Sequence, residues 1–178
     1  MQEYSKPDMK YFAYGSNMSF RRLRNRIKGS RILGTYILKR HDLRFHKISD
    51  TDGSAKCDVY YTGQKTDSVY GVLYRIRKSA KQILDEIEGL GKGYEEKKVQ
   101  LVSTDNHSEE EGVTYYATNI DPSLAPYRWY LEHVLKGADE AGLPNAYVQK
   151  IRKVKAMRDP DEARMKRELG IYQGGSLR

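Results

Sequence analysis

The chain has 178 residues, room for one domain, and its single cysteine, Cys57, excludes an internal disulfide framework and any multi-cysteine zinc or iron–sulfur site. Hydrophobic residues make up 38%, and 15 tyrosines give it more aromatic surface than a disordered chain carries. Lys and Arg outnumber Asp and Glu by 32 to 24, and no stretch approaches the roughly 20 apolar residues of a membrane span.

Residues 1–10 read as a lead-in without the apolar core of a secretory signal, so a cytoplasmic protein is expected. Tyr11 to Tyr14 reads as the end of a strand stopped by Gly15. Ser19 is placed to cap a helix carrying Phe20, Leu23 and Ile27 on one face, closed by Gly29. Strands follow at Ile32–Leu38, Leu43–Ile48, Asp58–Tyr61 and Val69–Ile76, with a turn at Thr51–Ser54. Ser79 and Gln82 have the spacing of a capping box. They open a helix whose apolar stripe is Ala80, Ile83, Leu84 and Ile87 and whose stop is Gly89. Val99 and Leu101 alternate as a strand, 105–111 is an acidic loop, and Val113–Thr118 is a further strand. Pro126 suits the first turn of a helix that buries Tyr127, Leu131, Val134, Leu135 and Ala138 and stops at Gly142 and Pro144. Asn145 is placed to cap another helix through Tyr147, Ile151 and Val154, and Asp159-Pro160 opens a short basic one ending near Gly170, with a frayed tail from Gln173. Adjacent strands without intervening helices argue for an α+β fold: a small mixed or antiparallel β-barrel flanked by helices. Residues 1–150 form the main domain, and 151–178 a basic helical tail packed on it or extending from it.

Three places carry chemistry. In Tyr14-Gly15-Ser16-Asn17, a glycine between strand and helix lets the backbone approach a ligand, and successive N–H groups can form a concave anion site. The alternative is an ordinary turn with a helix cap. Glu88 lies four residues after Leu84, on the flank of the apolar stripe, whereas Asp85 and Glu86 point further away. Partial burial and the negative helix end both disfavour its charged form, the condition under which a carboxylate becomes a useful base near neutral pH. The alternative is a surface glutamate tied to Lys92. Third, Tyr94, Tyr115, Tyr116, Tyr127 and Tyr130 offer apolar walls with single hydroxyls, suited to a small polar ligand or to the rim of a core. The four histidines form no HxxxH or HxH pair, Cys57 sits in a strand, and no GxSxG, GxxxxGK[ST] or GxGxxG occurs. No metal or nucleotide cofactor is indicated.

Two basic clusters remain: Arg21, Arg22, Arg24, Arg26, Lys28 and Arg31, and the segment from Gln149 to Arg178, with nine basic residues against four acidic. They read as solvated faces, or else as phosphate contacts.

Five segments together resemble the gamma-glutamylcyclotransferase family: Tyr11-Phe12-Ala13-Tyr14-Gly15-Ser16-Asn17-Met18, Val69–Tyr74, Leu84–Gly89, Tyr115–Asn119 and Gly137–Pro144. The resemblance covers about residues 11–147, and the first segment is the most specific. It implies a small mixed barrel with no cofactor, and attack by the α-amine of a γ-glutamyl group on its own γ-carbonyl. The products are 5-oxoproline and an amine or amino acid. It also implies that Glu88 is the catalytic acid/base and that Tyr11, Phe12, Ala13, Tyr14, Gly15, Ser16 and Asn17 bind the glutamyl group. By the same resemblance Tyr94, Tyr115 and Tyr127 contact the ligand. The expected partner is a small-molecule γ-glutamyl substrate, with no membrane, and a homodimer is allowed. Two other readings stand beside it: a non-catalytic binding or regulatory protein on the same fold, motivated by the basic tail, and a basic nucleic-acid-binding domain.

Overall fold

The computed structural model describes residues 8–174. Seven strands and five α-helices follow in the order β1 (Met9–Ala13), α1 (Phe20–Arg26), β2 (Arg31–Lys39), β3 (His41–Ile48), β4 (Ala55–Tyr61), β5 (Ser68–Ile76), α2 (Lys78–Glu88), β6 (Tyr94–Ser103), β7 (Glu109–Ala117), α3 (Arg128–Glu140), α4 (Asn145–Arg152) and α5 (Glu162–Gly170). A single 3-10 turn, Ser16–Met18, separates β1 from α1. The strands β1-β5-β2-β6-β7 close into a barrel, and β3 and β4 form a separate hairpin. All barrel pairings are antiparallel except the closing one, where β1 meets β7 in parallel at Tyr11 and Val113. This is the expected α+β barrel with helices outside.

Strand β5 shows why the barrel holds. Val69, Val72, Leu73, Tyr74 and Ile76 are all buried, so residues on both faces are covered: one set fills the barrel and the other meets the surrounding helices. Phe12, Leu73, Tyr74 and Leu101 are fully enclosed. Helix α3 docks where it carries Gly137. A Cβ there would lie 2.4 Å from the Ser19 nitrogen and 2.5 Å from Met18 Cβ, so only glycine lets this helix reach the turn that leaves β1. Ser19 caps α1 as expected, its hydroxyl accepting from the Arg22 N–H.

Several boundaries differ from expectation. Helix α2 starts at Lys78 with Arg77 as its uncapped first flank, so Ser79 lies inside the first turn and forms no capping box. The helix begins as soon as β5 ends at Ile76, and the strand end sets its start. Its buried face is Ala80, Lys81 and Leu84, while Ile83 and Ile87 are 48% and 42% exposed. The acidic stretch from Glu109 is strand rather than loop: Glu109, Glu110 and Glu111 pair with Val102, Leu101 and Gln100 of β6. Lys10 and Lys98 lie against Glu110 and Glu111, which relieves the repulsion that made the stretch look like a loop. Pro126 precedes α3 instead of lying in its first turn, Asn145 is the first residue of α4 rather than its cap, and α5 starts at Glu162 with Asp161 as its cap, just after Asp159-Pro160.

Asp159 has a different task. It is 1% exposed, accepts from Trp129 Nε1 at 2.7 Å, and forms a two-pronged pair with Arg164 Nε and Nη2, both at 2.6 Å. These hydrogen bonds, led by those from Arg164, hold its carboxyl well below the usual carboxylate range. Together with Arg22–Glu168 and His133–Tyr172 they fasten α5 onto α1 and α3.

Candidate active site

The end of β1, the turn after it, the last residue of α2 and the start of β6 converge on one recess of about 30 Å³. Tyr11, Tyr14, Gly15, Ser16, Asn17, Glu88, Tyr94 and Tyr115 line it, with Cys57 from β4 and Tyr130 from α3. Gly15 makes a close approach to β4 and α3. A side chain there would put its Cβ 3.0 Å from Cys57 Cβ and 3.5 Å from the Tyr130 hydroxyl. The N–H groups of Met18 and Ser19 return to the Gly15 and Ser16 carbonyls, whereas those of Gly15, Ser16 and Asn17 donate to no group among the described residues.

Glu88 reaches the recess because α2 turns its Lys81, Leu84, Asp85 and Glu88 side toward the barrel. Its side chain is 17% exposed. Glu88 Oε1 accepts two hydrogen bonds, from Asn17 Nδ2 at 2.8 Å and from Arg26 Nη1 at 2.7 Å. Its Oε2 has no partner among the described residues. Asn17 Nδ2 also donates to the Tyr11 hydroxyl at 3.0 Å. A carboxylate can only accept, so the amide nitrogen is the atom facing Glu88. The remaining amide oxygen, Asn17 Oδ1, is buried with no hydrogen-bond partner. A buried acceptor without a donor is costly, so this oxygen is open to a donor from outside the chain.

The tyrosines are tied back into the fold. Tyr14 donates to the Tyr115 carbonyl at 2.7 Å, Tyr94 to the Cys57 carbonyl, and Tyr115 to Asp85 Oδ1 at 2.6 Å. Tyr130 Oη accepts from the Cys57 N–H at 3.0 Å. Burial, reinforced at Tyr11 and Tyr94 by the Glu88 charge, pushes these hydroxyls far above their ordinary value, so all stay protonated. Burial likewise pushes the Cys57 thiol up to about 12, which removes it as a nucleophile at neutral pH.

Three expected ligand residues lie outside the recess. Phe12 and Ala13 are β1 residues enclosed in the core, at 0% and 1% exposure. Strand alternation explains Phe12: Tyr11 points to the recess and its neighbour to the opposite face. Tyr127 flanks the start of α3, its ring near Lys56 and Arg164 and its hydroxyl 3.5 Å from the Asp52 carbonyl. Asp85 is corrected too, since it meets Tyr115 and Lys81 rather than pointing away. Glu88 is bound to Arg26, not Lys92. Arg26 itself, within a cluster read as solvated, gave no local signal: only the tertiary fold brings α1 alongside the end of α2.

A wider vestibule of about 330 Å³ adjoins the recess, sharing Ser16, Glu88, Tyr94 and Tyr130 with it. Its walls carry Arg22, Arg26, Lys47, Lys56, Lys92 and Arg164 against Asp50, Asp52, Glu86, Glu88 and Glu168. Among the described residues no group of three or more His, Cys, Asp or Glu could hold a metal ion, and no helix is long and apolar enough to cross a membrane.

Residues 68–151 match the model of the AIG2-like family. Gamma-glutamylcyclotransferases of Homo sapiens and Bos taurus are each 30% identical to the chain over 148 residues, 81% of this chain and 77% of theirs. The chain belongs to the gamma-glutamylcyclotransferase family. A solved structure described as a gamma-glutamyl cyclotransferase superposes with a TM-score of 0.78 at 26% identity, covering 90% of this chain and 99% of that one. A Bacillus subtilis protein shares the fold, with a TM-score of 0.70 at 24% identity over 86% of this chain and 57% of its own. Family membership makes the chain an enzyme of the gamma-glutamylcyclotransferase type.

Proposed function

We propose that the recess binds a γ-glutamyl group and cyclises it to 5-oxoproline, releasing an amine or amino acid, with Glu88 as the acid/base. The observation that carries this is the asymmetry around two side chains. Glu88 Oε1 is held by Asn17 and Arg26 while Oε2 is open, and Asn17 Oδ1 is buried without a donor. An α-ammonium placed between Glu88 Oε2 and Asn17 Oδ1 supplies the missing donor and delivers its proton to the base. The unpaired N–H groups of Gly15, Ser16 and Asn17 serve the α-carboxylate or the oxygen of the γ-carbonyl as it gains charge.

The reaction then balances without an added reactant. Glu88 takes one proton from the α-ammonium, whose free value is near 8, and the amine nitrogen attacks the γ-carbon. A ring N–C bond forms and the amide C–N bond breaks. The second proton of the attacking nitrogen follows the first through Glu88 to the departing nitrogen. Ring closure is intramolecular, so the recess contributes mainly by folding the substrate into the attacking shape.

The test is Glu88→Gln. The glutamine keeps the size of the side chain and loses the base. Release of 5-oxoproline from γ-glutamyl amino acids should fall by about 10²–10⁴-fold with the melting temperature little changed. Turnover equal to the wild type in a folded variant overturns the reading.

A further inference from the structure

The molecule carries a second charged feature, away from the recess. No acid occurs between Asp8 and Asp42 or between Asp67 and Asp85. These two stretches supply α1, β2, β5 and the start of α2, where β2 pairs with β5 and α1 touches α2. One set of their cations turns inward: Arg22, Arg26 and Lys81 meet Glu168, Glu88 and Asp85. Another set stays outside. Arg24, Lys28, Arg31, Arg75, Arg77 and Lys78 are exposed, and none of the six forms an ion pair among the described residues.

These six are contiguous. Arg31 and Arg75 are direct partners across the antiparallel β2–β5 ladder, and Arg75 is also the partner of Lys10 on β1, so three cations stand in one row on one face of the sheet. Lys10 is neutralised by Glu110, whereas Arg31 and Arg75 face each other uncompensated. The Arg77 side chain lies over Gly29, where a Cβ would sit 3.1 Å from its Nε, and so links the end of β5 to the loop carrying Lys28. Lys78 follows as the first residue of α2. Arg24 and Lys28 border a groove of about 510 Å³ between α1 and the backbone at Ile171 and Gly174. Like charges directly opposite in a sheet repel, and an anion laid across the row turns that repulsion into attraction.

The layout selects the anion. Six charges spread over several elements are more than one small carboxylate or phosphate can reach, but a polymer with a phosphate in every unit meets them in turn. Four of the six are arginines, whose planar forks match phosphate oxygens two at a time. A groove receives a strand of backbone, whereas a bilayer surface does not enter it. Phe20, the aromatic on this side of α1, stacks on Tyr74 and lies under the Arg24 guanidinium at 5.4 Å, so it offers no free face to an unpaired base. We propose that this face binds the phosphate backbone of a double-stranded nucleic acid without reading its sequence. Such binding is independent of the cyclisation in the recess.

The experiment follows binding of the full chain to a fluorescein-labelled DNA duplex of about 20 base pairs by anisotropy, between about 50 and 200 mM salt. The wild type should bind with a Kd in about the micromolar range at the low end, and log Kd should rise against log salt with a slope of about 5, the value for six phosphates. The double variant Arg31→Gln/Arg75→Gln should lower that slope by about two and weaken binding about tenfold or more at low salt, with the melting temperature unchanged or raised because the repulsion is gone. Arg24→Gln/Lys28→Gln should lower slope and affinity to a similar extent, and it decides the matter if the first variant does not fold. Arg152→Gln/Lys153→Gln removes the same charge from exposed positions at the end of α4, the helix whose Lys150 pairs with Asp42 of β3, and should change little. Equal weakening in that α4 variant shows an effect of net charge alone and overturns the proposal. Absence of binding at about 50 mM salt overturns it as well. Displacement of the labelled duplex more readily by poly-glutamate or by phosphatidylglycerol vesicles than by unlabelled duplex gives the face to an acidic protein or a membrane, and also overturns it.

Discussion

At the scale of single residues, the site depends on atoms that have nothing to do and on one that is missing. Asn17 spends its amide nitrogen on Glu88 and Tyr11 and leaves its oxygen orphaned. A Cβ on Gly15 would crowd Cys57 at 3.0 Å. Gly15→Ala should displace the turn from Cys57. The expected cost is about 1–3 kcal/mol of stability, read by denaturant unfolding, with at least a tenfold loss of 5-oxoproline release. A variant as active as the wild type would show that the close approach is incidental. Arg26 matters equally. It shares Glu88 Oε1 with Asn17 and so orients the carboxylate with its other oxygen free.

At the scale of elements, α2 is the instructive one. Its sequence reads as one apolar stripe of Ala80, Ile83, Leu84 and Ile87. The barrel covers Ala80 and Leu84 together with Lys81, and leaves Ile83 and Ile87 outside. Lys81 is buried because Asp85 and Glu96 neutralise it and its ammonium lies 5.1 Å from the Tyr115 ring centroid. Leu84 fills the core beside it at 0% exposure. Leu84→Ala should therefore cost about 2–5 kcal/mol, whereas Ile83→Ala should stay within about 0.5 kcal/mol. Comparable urea midpoints for the two variants would refute this orientation of the helix. The same rotation is what delivers Glu88, so this stability test also bears on the site.

At the scale of the whole molecule, α5 is bound to the body through a buried polar cluster. His133, at 0% exposure, has Nε2 2.9 Å from Arg22 Nη1 and 3.0 Å from Glu168 Oε2, and Nδ1 2.7 Å from the Tyr172 hydroxyl. Burial, aided by the Arg22 charge, brings the His133 imidazole down to about 4 despite Glu168. At Glu168 burial works upward, but the hydrogen bonds from His133 and Arg22 and the Arg22 charge outweigh it and bring the carboxyl down to about 2. Both groups bind protons less readily folded than unfolded. The stability they contribute is present in full above the unfolded value of His, about 6.5, and is lost as pH falls toward 4 and then toward 2. The melting temperature should drop between pH 7 and pH 4, and His133→Gln should flatten that part of the curve. An unchanged slope would remove His133 as the cause.

Much of this was legible in the residues alone. The Tyr11–Asn17 segment, the Gly89 stop beside Glu88 and the succession of strands are local patterns, and local patterns fix local backbone: a glycine permits a turn, a serine caps a helix, alternation marks a strand. Those patterns gave the α+β barrel, the resemblance and most of the recess. They could not give partners that are distant in sequence. Arg26 meets Glu88 across 62 residues, Tyr130 meets Cys57 across 73, and Lys47 stands over Tyr94 without belonging to any motif. Which face of α2 turns inward, and which basic side chains leave the solvent, depends on what the barrel offers them. Burial of a charge is decided by the presence of a counter-charge or a ring in three dimensions, a condition that no sequence window contains.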